Sequence, residues 1–296
     1  MTEQKVWLEV ALNGPWTRAI QPRIPITVEE IVAEGIACAR AGAAIIHVHA
    51  YDAASGRQRD DPDLYAAIIE GIRAAVDAVV YPTIPFAGSA DRPGAGTPLE
   101  RFAAVEALAR RGLIEWAVVD PGSVNLTLSA GISADREGFV YLNPESHVRH
   151  GLVLAERHRL HPAYACYEPG FVRLGAALHR RYADTPQPIY RLMFSDLFTF
   201  GFPPQSWALP GLVRLLEREA PLAPWMIGGL GVDILPLIPD AIAAGGHVRV
   251  GLEDAPHGSE HGNLDWVERA RQAIEQVGGT LATAAEIRRE LGRGPK

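Results

Sequence analysis

Residues 44–49 read Ala44-Ile45-Ile46-His47-Val48-His49, an apolar, β-branched run interrupted only by two histidines. It lies between two stretches of helical period, Thr27–Ala41 and Pro62–Asp77, so it reads as a strand inside a helix–strand–helix unit. The same alternation continues in both directions. Further strands are expected at Val6–Leu12, Val79–Ile84, Trp116–Asp120, Ala163–Cys166, Ile189–Phe194, Pro224–Gly228 and Val248–Gly251. Helical patterns at Pro98–Arg111, Glu145–His158, Gly170–Tyr182, Ser206–Arg218, Leu235–Ala244 and Leu264–Val277 separate or follow them. Eight strands alternating with eight helices predict a TIM (β/α)8 barrel, with a doubly wound open sheet as the alternative of similar local pattern. In Ile26-Thr27-Val28-Glu29-Glu30 a Thr precedes a Glu by three residues, a capping box that starts the first helix. No linker interrupts residues 1–296, which read as one domain, and Thr283–Lys296 reads as a short helical extension.

The chain of 296 residues is 48% hydrophobic and 21% charged, a balance that builds a sizeable core. With 28 basic and 35 acidic residues the net charge is −7, which repels phosphate backbones and anionic lipid, so neither nucleic acid nor a membrane surface is an expected partner. Arg288, Arg289 and Arg293 are expected to share one solvated helix face. Cys38 and Cys166 sit in apolar contexts and read as buried free thiols. The N-terminus lacks a basic region followed by an apolar run, and no stretch approaches 18 uninterrupted apolar residues, so a cytoplasmic enzyme is expected.

Two histidines one residue apart on a strand share a face, because side chains alternate with period two. If that face is the barrel interior, His47 and His49 offer two nitrogen ligands at the carboxyl end of strand two, where barrel enzymes keep their active sites. The alternative is a hydrogen-bonded core histidine beside an unrelated one. The last strand leads into Arg249-Val250-Gly251-Leu252-Glu253-Asp254, so a cation and two acids gather where ring closure brings strand eight near strand two. A carboxylate there completes a two-His-one-carboxylate metal site with open positions. Consecutive acids cannot both point inward along a regular strand, so one ligates while the other does proton chemistry; a solvated acidic loop is the competing reading.

Other candidates carry less. His257 and His261 have the spacing of a helical metal pair, but Pro256, Gly258 and Gly262 favour a loop. Asp120-Pro-Gly-Ser123-Val-Asn125 places polar groups after strand four, with an Asx-type turn as the plain account. Gly228-Gly-Leu-Gly231 follows strand seven, where barrels often bind phosphate. His147, His150, His158, His161 and His179 read as surface or capping residues.

Residues 47–56 (HVHAYDAASG), 118–125 (VVDPGSVN), 167–170 (YEPG) and above all 245–254 (GGHVRVGLED) resemble, in order, the β-keto acid cleavage enzymes typified by 3-keto-5-aminohexanoate cleavage enzyme. The resemblance runs from about Leu8 to the C-terminal tail. It implies a TIM barrel with one Zn2+ per chain held by His47, His49 and Glu253. It implies condensation of a β-keto acid with acetyl-CoA as co-substrate, giving acetoacetate and a new acyl-CoA. Asp254 would act as the base beside Arg249, and an Asp next to a cation is expected to stay ionised. Substrate contacts are expected from Asn13, Gly88, Asp120 and Ser123, and a homo-oligomer (dimer or tetramer) is implied.

Departures from the family pattern bear on the substrate. An acid after strand one is replaced by Asn13-Gly-Pro-Trp-Thr17, a second falls at Ala165, and a polar Ser of the third loop is lost near Pro85. These losses argue against a β-amino substrate. On the CoA side, a Gly-rich loop is replaced by Gly201-Phe-Pro-Pro-Gln-Ser206 and a family Arg by Val232. A metal-dependent hydrolase or class II-type aldolase on the same barrel is the alternative activity, and a barrel that senses a metal-bound metabolite is a third.

Overall fold

The computed structural model describes residues 5–89 and 92–292. Eight strands form its centre: Leu8–Ala11, Ile45–Val48, Val79–Pro82, Trp116–Val118, His161–Cys166, Ile189–Phe194, Trp225–Gly229 and His247–Val250. Each hydrogen-bonded pair is parallel, and strand eight pairs with strand one (Leu8 opposite Val248), which is the ring closure that a doubly wound sheet lacks. The spatial order is three-two-one-eight-seven-six-five-four. At the seam between strands three and four the Tyr81 and Trp116 rings meet at 5.7 Å. The fold is therefore a nearly closed TIM barrel with its helices between the strands.

Helices follow the periodicity. Val28–Arg40 is capped by Thr27, whose side chain accepts from Glu30 N at 3.1 Å while the Glu30 carboxylate returns a bond to Thr27 N. The expected helix Pro98–Arg111 is broken at Phe102 into Pro98–Arg101 and Ala103–Arg110. That break accompanies a buried Arg101, which donates to the Leu142 carbonyl and to Asn143 Oδ1. No helix among the described residues is long and apolar enough to cross a membrane. Cys38 and Cys166 are buried free thiols.

Two insertions at the carboxyl ends of strands were not expected. The hairpin Tyr51–Asp52 with Arg57–Gln58 follows strand two. After strand four, Val124–Leu126 pairs with Phe139–Tyr141 around the short helix Ser129–Ser133. Both build up the rim of the barrel mouth.

The opposite end is sealed by the tail. Helix Ala284–Glu290 docks on the barrel base, and Arg288 is buried there, with two bonds to Glu115 and one to Asp77. The solvated-face expectation is thus corrected: Arg289 is exposed, Arg288 is an internal ion pair, and Arg293 lies outside the described residues, as does the tail beyond residue 292. The Trp7 indole donates to Glu290 from the same base and stacks on His247 at 4.3 Å. A cavity of about 570 Å³ opens here beside His247 and Glu290, at the end of the barrel away from the histidine pair.

Candidate active site

Strand two ends at Val48, and the alternation brings both imidazoles inward with ring centres 5.2 Å apart. Asn13 holds the strand end: its amide donates to the His49 carbonyl and its Oδ1 accepts from His49 N at 2.9 Å. His49 Nδ1 faces Gln58 Oε1 at 2.8 Å. With the Gln58 carbonyl oxygen as acceptor, Nδ1 carries the hydrogen and Nε2 keeps its lone pair for a ligand. Burial first, with help from nearby guanidiniums, holds the His47 pKa well below its ordinary value, which favours a neutral imidazole.

Strand eight ends at Val250, and Gly251, at φ +128°, turns the chain where a Cβ would strike the Ala11 carbonyl. Glu253 N then donates to Ala11 O and Asp254 N to Gly251 O. This turn resolves the difficulty of adjacent acids, because both swing into the mouth once the strand has ended. Glu253 Oε2 lies 3.5 Å from Nε2 of both His47 and His49, and the three ligand atoms lie within 4.8 Å of one another. Glu253 Oε2 and His49 Nε2 are buried without a hydrogen-bond partner. Buried polar atoms left so cost roughly 1–3 kcal/mol each. Two imidazole nitrogens, one carboxylate and orphaned polar atoms facing one point fit a divalent cation with open positions.

Arg249 organises the acids. It donates to Asp254 through Nε and Nη2 at 2.8 Å each, reaches Glu253 Oε1 at 3.1 Å, and donates to Glu9 through Nη1 at 2.9 Å. Burial pushes the Asp254 carboxyl up to about 6 against the pull of Arg249. Desolvation thus makes Asp254 a stronger base than an ordinary carboxylate, and at about 6 it is still mostly ionised at neutral pH. For Glu253, burial also acts upward, but Arg249 and the two histidines outweigh it and hold the carboxyl well below the ordinary range.

A family model described as beta-keto acid cleavage enzyme matches residues 5–292. The chain belongs to the β-keto acid cleavage enzyme family. The 3-keto-5-aminohexanoate cleavage enzyme of Fusobacterium nucleatum is 27% identical over 98% of this chain and 98% of its own length. The 3,5-dioxohexanoate:acetyl-CoA acetone transferase of Paraburkholderia graminis is 26% identical over 98% of this chain and 96% of its own. The fold is shared with ObcA in its binary complex with oxaloacetate, at a TM-score of 0.73 and 20% identity over 93% of this chain and 68% of that one.

Within this β-keto acid cleavage barrel, the remaining expected site residues are committed to the protein. Asn13 is fully buried and also donates to Pro25 O. Asp120 accepts from the Tyr141 hydroxyl and Ala165 N, both at 2.7 Å. Ser123 Oγ accepts from Asn143 N at 2.8 Å. Gly88, at φ +99°, packs directly on the Val140 carbonyl. His257–His261 forms a loop, as expected, and Gly231 packs on Leu197. His147 and His161 are buried, where surface or capping positions were expected.

Two charged interior residues escaped the sequence reading. Glu9 in strand one accepts from the Tyr81 hydroxyl at 2.7 Å, and Arg191 in strand six donates to the same hydroxyl and to Ala163 O. Arg191 also lies 3.7 Å from Asp120. Lone charges inside the apolar strands Leu8–Ala11 and Ile189–Phe194 were the available signal. Four carboxylates, Glu9, Asp120, Glu253 and Asp254, share this interior with two guanidiniums.

Above the charged layer runs an arc of rings. Phe86 stacks on Tyr141 at 4.8 Å, Tyr141 meets Tyr167 at 5.9 Å, and Tyr167 meets Phe200 at 5.0 Å. Phe200 contacts Phe198, Phe198 contacts His257, and His257 contacts Trp16, whose indole donates to the Glu253 carbonyl at 2.8 Å. Six of the eight strand–helix loops contribute a ring.

Proposed function

We propose that this chain is a zinc-dependent enzyme that condenses a β-keto acid with acetyl-CoA, yielding acetoacetate and the CoA thioester of the remaining acyl group. The observation that carries the reading is the convergence of His47, His49 and Glu253 on one point beside the Arg249–Asp254 pair. The family, and the acetyl-CoA in the printed name of the Paraburkholderia graminis relative, support the choice of reaction.

His47, His49 and Glu253 would hold a divalent cation, which would supply positive charge against the negative charge that develops on the substrate's oxygens. The hydrogens between those two groups are the acidic ones, and Asp254 is the acceptor for one of them. Arg249 fixes the plane of that carboxylate with two parallel bonds. The carbon so released attacks the thioester carbonyl, CoA leaves as thiolate, and its return to the original keto carbon breaks the bond to the acetoacetate fragment, whose carbon takes back the proton held by Asp254. Atoms balance: the acetyl group ends in acetoacetate and the original acyl group on CoA. In this reading Asn13, Gly88, Asp120 and Ser123 shape the walls of the substrate site through their protein bonds. The reading carries with it a cytoplasmic homo-oligomer, and exposed Leu99, Ile132 and Trp207 are side chains of the kind subunit contacts cover.

The test is acetoacetate production from a panel of β-keto acids with and without acetyl-CoA, before and after chelation. Acetoacetate formed only with acetyl-CoA, lost on chelation and restored by Zn2+, supports the reading. Cleavage without acetyl-CoA would favour a hydrolase or aldolase.

A further inference from the structure

We propose that the acyl group this site accepts is uncharged, apolar and bulky, a branched or aromatic R in R–CO–CH2–COO−, and that the rim rings recognise it. The inference rests on the reading above for the position of the keto acid head at His47, His49 and Glu253.

With the head anchored there, the R group extends toward the rim. The geometry at that level is aromatic. Phe200 stands at the centre of the arc, with Tyr167 edge-on to it at 90°, and Trp16 at one end is tied to the Glu253 backbone. None of the arc residues carries a charge, since burial lowers the pKa of His257 and keeps it neutral. The charged groups beneath are already committed. Arg191 is shared among Tyr81, Ala163, Glu9 and Asp120, and Arg249 among Glu9, Glu253 and Asp254. Beside the arc, Glu168 accepts from Gly201 N, and Arg101 donates to Leu142 O and Asn143 Oδ1. An ammonium or a second carboxylate on R would be desolvated here with only counter-charges already bonded to the protein. A phenyl or branched alkyl group would instead meet ring faces and edges, the contacts aromatic side chains favour. The inward positions nearest the charged layer are small, Ala165 on strand five and Gly228 on strand seven, the latter's Cβ position lying 3.5 Å from Asp254 Oδ2.

The experiment compares four 3-oxo acids of similar length: one with a terminal phenyl group, one branched, one ending in a second carboxylate and one ending in an ammonium. Two readouts are taken on the zinc-loaded protein: kcat/KM with acetyl-CoA, and Kd by calorimetry without it. The expected result is a preference of about 10²-fold or more for the phenyl and branched acids in both, the size of discrimination a hydrophobic pocket delivers. Phe200→Leu should raise KM for the phenyl acid about tenfold while changing the short unbranched 3-oxopentanoate less. Equal or better use of either charged acid overturns the proposal, as does failure of all four to bind. Tighter binding of the apolar acids with no acetoacetate formed overturns the condensation reading and leaves this proposal standing.

Discussion

Asp254 receives both bonds of one guanidinium fork: Arg249 Nε reaches Oδ2 and Arg249 Nη2 reaches Oδ1, each at 2.8 Å. Two parallel bonds fix the carboxylate plane, a constraint a single ammonium cannot impose. Asp254→Asn should therefore lower turnover by about 10² or more, the usual size of a base contribution. Arg249→Lys keeps the charge, loses the fork and should cost about 10² as well. Zinc content by elemental analysis should be unchanged in the Asp254 variant; a variant of normal rate would remove Asp254 from proton transfer.

Gln58 returns on a hairpin to orient His49, whose Nδ1 lies 2.8 Å from its side-chain oxygen. Gln58→Ala removes that acceptor and frees the imidazole to adopt the wrong tautomer. Metal affinity should weaken about 10–100-fold, as for other groups that orient a metal ligand. Chelator competition measures the affinity, and the unfolding midpoint of the metal-free protein should stay close to that of the parent.

Much of this site can be read in the sequence, for reasons that are local. The two-residue spacing of His47 and His49 places them on one face whatever the fold, and eight apolar runs between helical patterns point to a barrel. What could not be read depends on distant pairings or on chain direction after a strand ends. Glu253 and Asp254 both face inward because Gly251 turns the chain against Ala11, a contact between the first and last strands of the ring. Glu9 and Arg191 are 182 positions apart in sequence and meet only across the closed ring, 3.9 Å from each other. Arg288 shares a short helix with solvated Arg289, and only the docking of that helix on the base distinguishes them.

That docking gives a stability prediction remote from the chemistry. Arg288→Ala leaves the buried Glu115 carboxylate without its guanidinium. Breaking one partner of a buried pair costs about 3–5 kcal/mol, so urea denaturation should show a loss of this size. The double substitution Arg288→Met with Glu115→Leu should recover most of it, because no uncompensated charge remains.

Burial lowers the His247 pKa from the ordinary 6.5 to about 3, and its Nδ1 accepts from Trp7 N at 3.1 Å. The unfolded chain binds a proton at this residue below about pH 6.5 and the folded chain does not until near pH 3. Its contribution is thus complete above pH 6.5 and is lost as the pH falls, at up to about 1.4 kcal/mol per pH unit. His247→Asn keeps an acceptor without the titration. Its stability relative to the parent should therefore improve as the pH falls from 6.5 toward 4, by denaturant melts; a constant difference would show that His247 titrates normally in the folded protein.

The most direct measurement for the whole account is the zinc stoichiometry of the purified protein and of its His47→Ala, His49→Ala and Glu253→Gln variants, after chelation and reloading with one added equivalent of Zn2+. The account predicts about one tightly held Zn2+ per chain for the parent, as a three-ligand catalytic site binds. It predicts little or none for each variant, with circular dichroism spectra unchanged. Full zinc retention by folded His47→Ala or His49→Ala protein would contradict it.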